Sequence, residues 1–250
     1  MGTTIAIGGG SIGYERPAQT TKIDKEIVAR ANKKQPRMLF IPTASNDAQT
    51  YIDVFNKHFS KLGCKIETLL LIREQPTKKV IREKIAKADI IYVGGGNTLK
   101  MMMLWRKKGV DKELIKAHKK GTIVSGLSAG AICWFQYGNS DSRKYTSKSD
   151  NLIRVSSLGI INALMCPHFD TEKNRKQSLR TMMRNTHKIV GLALEENCAL
   201  EIKDDTYKVL TSKKQAKAYK CFWKNNKYYK QIIPQTTQYQ PLNELLDKKL

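Results

Sequence analysis

The first half of the chain alternates short apolar runs with segments whose apolar residues recur every three to four positions. Thr-Thr-Ile-Ala-Ile-Gly at 3–8, Arg-Met-Leu-Phe-Ile at 37–41, residues 65–72, Asp-Ile-Ile-Tyr-Val at 89–93 and Gly-Thr-Ile-Val-Ser at 121–125 read as strands. Between them, 20–33 (Ile23, Ile27, Val28, Ala31), 48–62, 77–87, 98–107 and 111–119 carry helical spacing. Gly63 closes the second of these helices, and Thr77 is placed to cap the third. Strands that are apolar throughout, separated by helices, predict an α/β fold with a mostly parallel sheet and helices on both faces. Ligands gather at the carboxyl ends of such strands. Three glycine-rich stretches fall there: 8–13, 94–97 and 126–130.

The second half is less regular. Residues 136–150 are polar and read as an exposed loop, and 171–186 as a helix. Residues 188–194, 198–203, 206–211, 217–223 and 227–233 read as strands, with Asn225-Asn226 as the hairpin turn of the last pair. A short helix over 242–249 follows. The simplest organisation is a catalytic α/β domain over 1–203, with a basic, β-rich C-terminal extension over 204–250 packed on the same domain.

Composition narrows the class. The 250 residues are 40% hydrophobic, with a mean hydropathy of −0.47. A chain this long buries roughly 70–75% of its unfolded surface, enough for a core without staples. No apolar run approaches the ~18 residues of a membrane span. The Met-Gly-Thr-Thr-Ile-Ala start carries no basic leader, so no signal peptide is expected. Five widely spaced cysteines form no Cys-x-x-Cys pair. They read as small buried hydrophobes in a reducing compartment, the cytoplasm. The formal net charge is +23. Its lysines are spread over the whole chain, so a solvated basic surface accounts for it better than a nucleic-acid interface, and nucleic acid is not the expected partner.

Gly126-Leu127-Ser128-Ala129-Gly130 is where chemistry enters. A strand precedes it and a helix start follows. A serine on a tight strand-to-helix turn with small flanking residues is lifted clear of the sheet as a nucleophile. The amide of Ala129 would then face a developing oxyanion. Such a serine needs a base. His58 and His118 lie inside helices, and His187 sits at a helix end. His168, in Met165-Cys166-Pro167-His168-Phe169-Asp170, is held ahead of a helix by a restricted backbone and is the best-placed imidazole. Its orienting acid is sought in Glu195-Glu196, after the apolar strand Gly191-Leu-Ala-Leu. Strand side chains alternate, so only one of the two glutamates reaches the histidine. Asp170 and Asp150 are weaker candidates. Gly94-Gly95-Gly96-Asn97 suits a second oxyanion donor, because no Gly-Lys-Ser/Thr follows to make a phosphate loop. Gly8, Gly10 and Gly13 match Gly-x-Gly-x-x-Gly, but Tyr14-Glu15-Arg16-Pro17 opens no helix, so the match is weak evidence for a dinucleotide.

Taken in order, Gly94-Gly95-Gly96-Asn97-Thr98, Gly126-Leu127-Ser128-Ala129-Gly130-Ala131, Pro167-His168-Phe169 and Gly191 to Asn197 resemble the dipeptidase E and cyanophycinase family of serine peptidases. The resemblance spans about residues 1–203. It implies a flavodoxin-like fold of the class I glutamine amidotransferase kind. It implies a Ser128–His168–Glu196 triad, Glu196 being preferred to Glu195 by the family pattern. Gly96 and Ala129 would donate to the oxyanion, and no metal or cofactor is implied. It further implies a small peptide as substrate, cleaved after an N-terminal aspartate in dipeptidase E members. Cationic and polar groups would hold that carboxylate, with Arg175, Arg180 or Arg184 as the cation and Asn97 as a polar contact. Pro167 stands where cyanophycin-degrading members carry Gln, and the arginine spacing after His168 differs from theirs, which argues against cyanophycin. A monomer or homodimer is expected.

Overall fold

The computed structural model describes residues 2–13, 19–172, 174–186 and 188–249. His187 and the 14–17 segment lie outside these residues. Five strands form the parallel centre of the first sheet: β1 (Thr4–Ile7), β2 (Arg37–Ile41), β3 (Lys65–Thr68), β4 (Ile90–Val93) and β5 (Ile123–Leu127). Their order is β1-β5-β4-β2-β3. Successive side chains point to opposite faces, and both faces are covered. Ile5, Ile7, Phe40 and Tyr92 pack on one side with Ile23 and Ile27 of α1 (Thr21–Arg30) and Phe55 and Phe59 of α2 (Gln49–Lys61). Ala6, Leu39, Ile41, Ile91, Val93 and Val124 face the other side. There they meet α3 (Lys78–Lys87), α4 (Thr98–Lys108), α5 (Val110–Lys119) and the single turn α6 (Ala129–Ile132). This is why β1, β2, β4 and β5 read as near-continuous apolar runs, whereas β3, at the sheet edge, alternates.

The same second face continues into another sheet, which the sequence did not separate from the first. It begins with β6 (Phe135–Ser140), followed by α7 (Ser142–Thr146), β7 (Ile153–Ser156), β8 (Ile161–Cys166), α8 (Arg175–Arg184) and β9 (Val190–Leu194). Strand β6 occupies part of the segment expected as an exposed loop. Its polar residues are buried but satisfied: the Asn139 side chain donates to Ser178 Oγ at 3.1 Å, and Ser140 Oγ lies 2.7 Å from Ser142 Oγ. Polarity signals a loop only when nothing inside the fold supplies the partner. Ala163, Met165, Leu192 and Leu194 face the first sheet, whereas Leu164, Cys166 and Ala193 face α8 through Leu179 and Met183.

The chain then crosses back. Strand β10 (Cys198–Lys203) runs antiparallel to β1, and β11 (Thr206–Thr211) extends that edge. Strands β12 (Ala218–Lys224) and β13 (Lys227–Ile233) form a hairpin added to β9. Its turn residues Asn225 and Asn226 have φ of 49° and 57°, as a tight hairpin requires. The short β14 (Gln240–Pro241) returns to β11 ahead of α9 (Leu242–Leu246). Residues beyond 203 thus add strands to both sheets. No helix among the described residues is long and apolar enough to cross a membrane.

One buried ion pair ties this return to the core. The Glu201 side chain on β10 is fully buried. It accepts from Arg30 Nε of α1 at 2.6 Å, from Arg30 Nη2 at 3.1 Å and from the Tyr239 hydroxyl at 2.8 Å. Removing the guanidinium leaves a buried carboxylate with only the phenol. Arg30→Ala is therefore expected to cost about 3 kcal/mol, the low end for a broken buried pair, and to lower the thermal midpoint by about 6–12 °C. A loss below about 1 kcal/mol in urea unfolding would contradict this.

Candidate active site

The site is assembled on the carboxyl end of β1. Three consecutive carbonyls there accept from three distant backbone N–H groups: Ile7 from Ser128 at 3.1 Å, Gly8 from His168 at 3.0 Å and Gly9 from Asn197 at 3.0 Å. All three donors belong to residues with positive φ: 58° at Ser128, 52° at His168 and 63° at Asn197. Such conformations cost of the order of 1–3 kcal/mol each in a non-glycine residue. The β1 hydrogen bonds and the packing around them hold the chain in place against that cost.

Ser128 stands at the sharp bend between β5 and α6, with ψ of −110°. The bend needs glycine on both sides. A Cβ on Gly126 would lie 2.5 Å from the Gly130 carbonyl oxygen, and one on Gly130 would lie 2.0 Å from the Val93 carbonyl oxygen. The Gly-x-Ser-x-Gly spacing is thus a record of two backbones in contact. Helix α6 supplies only one turn, shorter than the helix start read over 129–135.

The imidazole of His168 spans the gap to the acid. Its Nε2 lies 2.9 Å from Ser128 Oγ, and its Nδ1 lies 3.3 Å from Glu196 Oε1. With the proton on Nδ1 facing the carboxylate, Nε2 is left as an acceptor for the serine hydroxyl. The hydrogen bond from His168, outweighing burial, holds the Glu196 carboxyl below the usual glutamate range; the imidazole charge, Thr171 and Lys213 act in the same direction. The Glu196 N–H donates to Asp170 Oδ1 at 2.9 Å, so Asp170 fixes the acid's backbone. Glu195 turns the other way, accepting from the Tyr219 hydroxyl at 2.7 Å and from the Lys217 N–H at 2.9 Å. One glutamate faces inward, Glu196, but strand alternation is not the cause: both lie past the end of β9, and Glu196 opens the turn into β10.

The glycine run at 8–10 has a use that the sequence pattern did not reveal. A Cβ on Gly9 would lie 2.6 Å from His168 Nδ1 and 2.9 Å from Glu196 Cγ. The run makes room for the histidine–glutamate pair rather than for a pyrophosphate. Three adjacent glycines at a strand end were the available signal. On the other side of Ser128, a Cβ on Gly95 would sit 3.4 Å from the serine Cβ. Among the described residues, the N–H groups of Gly96 and Ala129 find no acceptor. Both remain free to donate.

The expected substrate-binding residues fare differently. Asn97 is buried, and its Oδ1 caps α4 by accepting from the Lys100 N–H at 3.0 Å. Arg175 is 1% exposed. Its guanidinium donates to the Asn139 carbonyl and Oδ1 and, at 2.7 Å, to Glu172 Oε2. The Arg175 expectation is corrected, because its guanidinium is consumed by the fold; Asn97 has its Oδ1 committed to the cap but still lines a cavity beside Gly95, Gly96 and Lys100. Arg180 lines a separate cavity that includes none of Ser128, His168 and Glu196. Of the other histidines, His58 Nε2 pairs with buried Asp24 at 2.8 Å, and His118 lies 3.1 Å from Thr4 Oγ1. Among the described residues, no cluster of three or more His, Cys, Asp or Glu side chains could hold a metal.

A serine hydroxyl on a glycine-flanked bend, an imidazole against it and a carboxylate behind define the arrangement of a serine hydrolase. Sequence comparison makes the class specific: the profile of peptidase family S51 matches residues 4–210, and the chain belongs to that family of serine-type peptidases. It is 37% identical over 221 residues to the uncharacterized peptidase YgaJ of Bacillus subtilis (strain 168), spanning 88% of this chain and 92% of that one. It is 25% identical over 195 residues to a cyanophycinase of Geminocystis herdmanii (strain PCC 6308), spanning 74% and 72% of the two chains. The crystal structure of a peptidase from an acI-B1 Actinobacterium shares the fold. Its TM-score is 0.73 at 17% identity, over 96% of this chain and 97% of that one.

The crowding at Gly9 yields a test. Gly9→Ala should leave the thermal midpoint within a few degrees, since the clash is with movable side-chain atoms. It should lower peptide hydrolysis by about 100-fold, the cost of displacing a reacting group by about an ångström. Full activity in a folded Gly9→Ala protein would mean the imidazole is not used where it stands.

Proposed function

We propose that the chain hydrolyses short peptides through an acyl-enzyme, with Ser128 as nucleophile, His168 as general base and acid, and Glu196 as the orienting carboxylate. The observation that carries this reading is the 2.9 Å contact between His168 Nε2 and Ser128 Oγ, with Glu196 behind the ring. Oγ attacks the scissile carbonyl carbon while its proton passes to Nε2. The imidazolium then gives that proton to the leaving amine as the C–N bond breaks. Water, deprotonated by the same nitrogen, releases the acid and restores the serine. The free N–H groups of Gly96 and Ala129 stabilise the oxyanion, each by about 2.7–4 kcal/mol. Glu196, held below the usual carboxylate range, stays ionised throughout the neutral range and keeps Nδ1 protonated. The five free, buried cysteines favour the reducing cytoplasm as the compartment.

The substrate we propose is a dipeptide or short peptide with an N-terminal aspartate. With Arg175 committed to the fold, the cation that fits this role is Lys100. A cavity of about 570 Å³ adjoins the glycine loop, lined by Ser45, Asn46, Gly95, Gly96, Lys100 and Tyr145 among others. Among the described residues, Lys100 is the one charged side chain lining it. Its Nζ donates to Asn46 Oδ1 at 2.6 Å and meets no carboxylate among the described residues. A substrate carboxylate entering there would meet an ammonium already held in position.

Two measurements test these assignments. Ser128→Ala should reduce kcat/KM on Asp-X dipeptides by about 10⁴-fold or more with an unchanged melting curve; residual turnover within tenfold of the parent would remove Ser128 from the mechanism. Lys100→Met should raise KM for Asp-X about tenfold or more, the worth of one charge-assisted hydrogen bond, with little change for Ala-X. An equal effect on both substrates would show that Lys100 does not read the aspartate.

A further inference from the structure

A cavity of about 750 Å³ lies between α8 and the β12–β13 hairpin. It is lined by four cations, Lys176, Arg180, Arg184 and Lys230, and by the rings of Phe169, Trp223 and Tyr228; among the described residues no Asp or Glu lines it. None of the four cations pairs with a carboxylate among those residues. Elsewhere this chain does pair its cations: Arg30 with Glu201, Lys33 with Asp89 and Arg175 with Glu172.

In the cavity the cations rest on rings. The Arg180 guanidinium carbon is 5.6 Å from the Trp223 ring centre and 5.7 Å from that of Tyr228. Arg184 lies 5.5 Å from the same indole, and Lys176 Nζ lies 5.9 Å from the Phe169 ring. The indole is itself tied down, its Nε1–H donating to the Arg180 carbonyl at 2.9 Å. Stacking holds a guanidinium flat and leaves its N–H edge free, the edge that takes a carboxylate through two parallel hydrogen bonds. The residues from the hairpin, Trp223, Tyr228 and Lys230, lie beyond the stretch matched by the family profile.

We propose that this cavity is an exosite for an acidic peptide segment, engaged by Arg180 and Arg184 with Lys176 and Lys230 at its rim. Several separated cations in one concavity suit several carboxylates along a chain better than one small anion. Nucleic acid fits less well, because the ring faces on which bases would stack already carry the protein's own guanidinium groups. The site is separate from Ser128 and is tested by binding, so its failure and the failure of the peptidase mechanism are distinguishable.

The cavity contains its own reporter. Trp105 and Trp134 are fully buried elsewhere, so a ligand here should perturb the emission of Trp223. N-acetyl-octaglutamate amide, titrated at low salt into the full-length Ser128→Ala protein, should change that emission saturably. Trp223→Phe should abolish the response. The dissociation constant should rise at least about tenfold in Arg180→Ala/Arg184→Ala. It should rise less than about twofold in Lys112→Ala/Lys116→Ala, which removes the same charge from α5. Equal weakening in the two double variants would reduce the effect to net charge and overturn the site. So would the absence of a saturable response, or tighter binding at the same reporter by an oligouridylate of equal charge.

Discussion

Everything at the active site depends on the carboxyl end of β1 and the two glycines that follow it, where three successive carbonyls at Ile7, Gly8 and Gly9 act as a ruler. Each accepts one backbone N–H, and the donors are Ser128, His168 and Asn197, the last directly after Glu196. These residues come from the end of β5 in the first sheet and from the segments after β8 and β9 in the second. A serine, a histidine and a glutamate far apart in sequence are thus spaced by three consecutive carbonyls of one backbone segment. The side-chain distances of 2.9 Å and 3.3 Å follow from where the backbones are fixed. Side-chain hydrogen bonds this exposed would not by themselves hold three left-handed residues in register.

The parts of the site legible in the sequence were those that local sterics dictate. A serine between two glycines after an apolar strand points to a sharp bend, because Gly126 and Gly130 are required where backbones touch. The choice between Glu195 and Glu196 was not legible from alternation, since both lie past the end of β9 and Glu196 opens a turn. What escaped notice depends on contacts made across the fold. Gly9 looks like part of a weak nucleotide motif until His168 is seen lying on it. Arg175 looks like a surface cation until β6 is seen to bring Asn139 against it. The exposed loop expected over 136–150 failed over 136–140 for the same reason, since polar residues there were counted as exposed when their partners come from α7 and α8. The extent of the C-terminal strands was readable from alternation and the Asn225-Asn226 turn, yet their division between two sheets was not.

The charge balance accounts for how carboxylates are used here. With 22 acidic residues against 45 Lys and Arg, each buried carboxylate has a definite partner. Glu201 meets Arg30 and Tyr239, and Asp24 meets His58 and Thr20. Some of the cations left without acids rest over rings, as Arg154 does over Tyr137 and Lys208 over Tyr239. Such placement keeps the charge hydrated at one edge and covers apolar surface with the stem. A chain can therefore carry a large positive excess without burying unpaired charge, at the expense of a surface that attracts anions generally.

The end of β9 separates two consequences of that economy. Glu196 faces the imidazole, while its neighbour Glu195 faces Tyr219, whose phenol is pushed upward by burial and by this acceptor and so remains a donor. Tyr219 in turn lies under Lys230, at the rim of the cationic cavity. One peptide unit thus stands between the carboxylate that orients the reacting histidine and the carboxylate that anchors the aromatic wall beside α8. Because Glu195 ends the segment paired with Lys217 while Glu196 opens the turn into β10, the two acids cannot exchange roles without a change in register. A register shift of one residue would carry Glu196 toward Tyr219 and leave His168 facing Glu195 or Asn197. The backbone bonds donated by the Asn197 N–H to the Gly9 carbonyl and by the Glu195 N–H to the Lys217 carbonyl oppose that slip from both sides. The pairing that builds the second sheet is therefore also what keeps the correct carboxylate behind the imidazole.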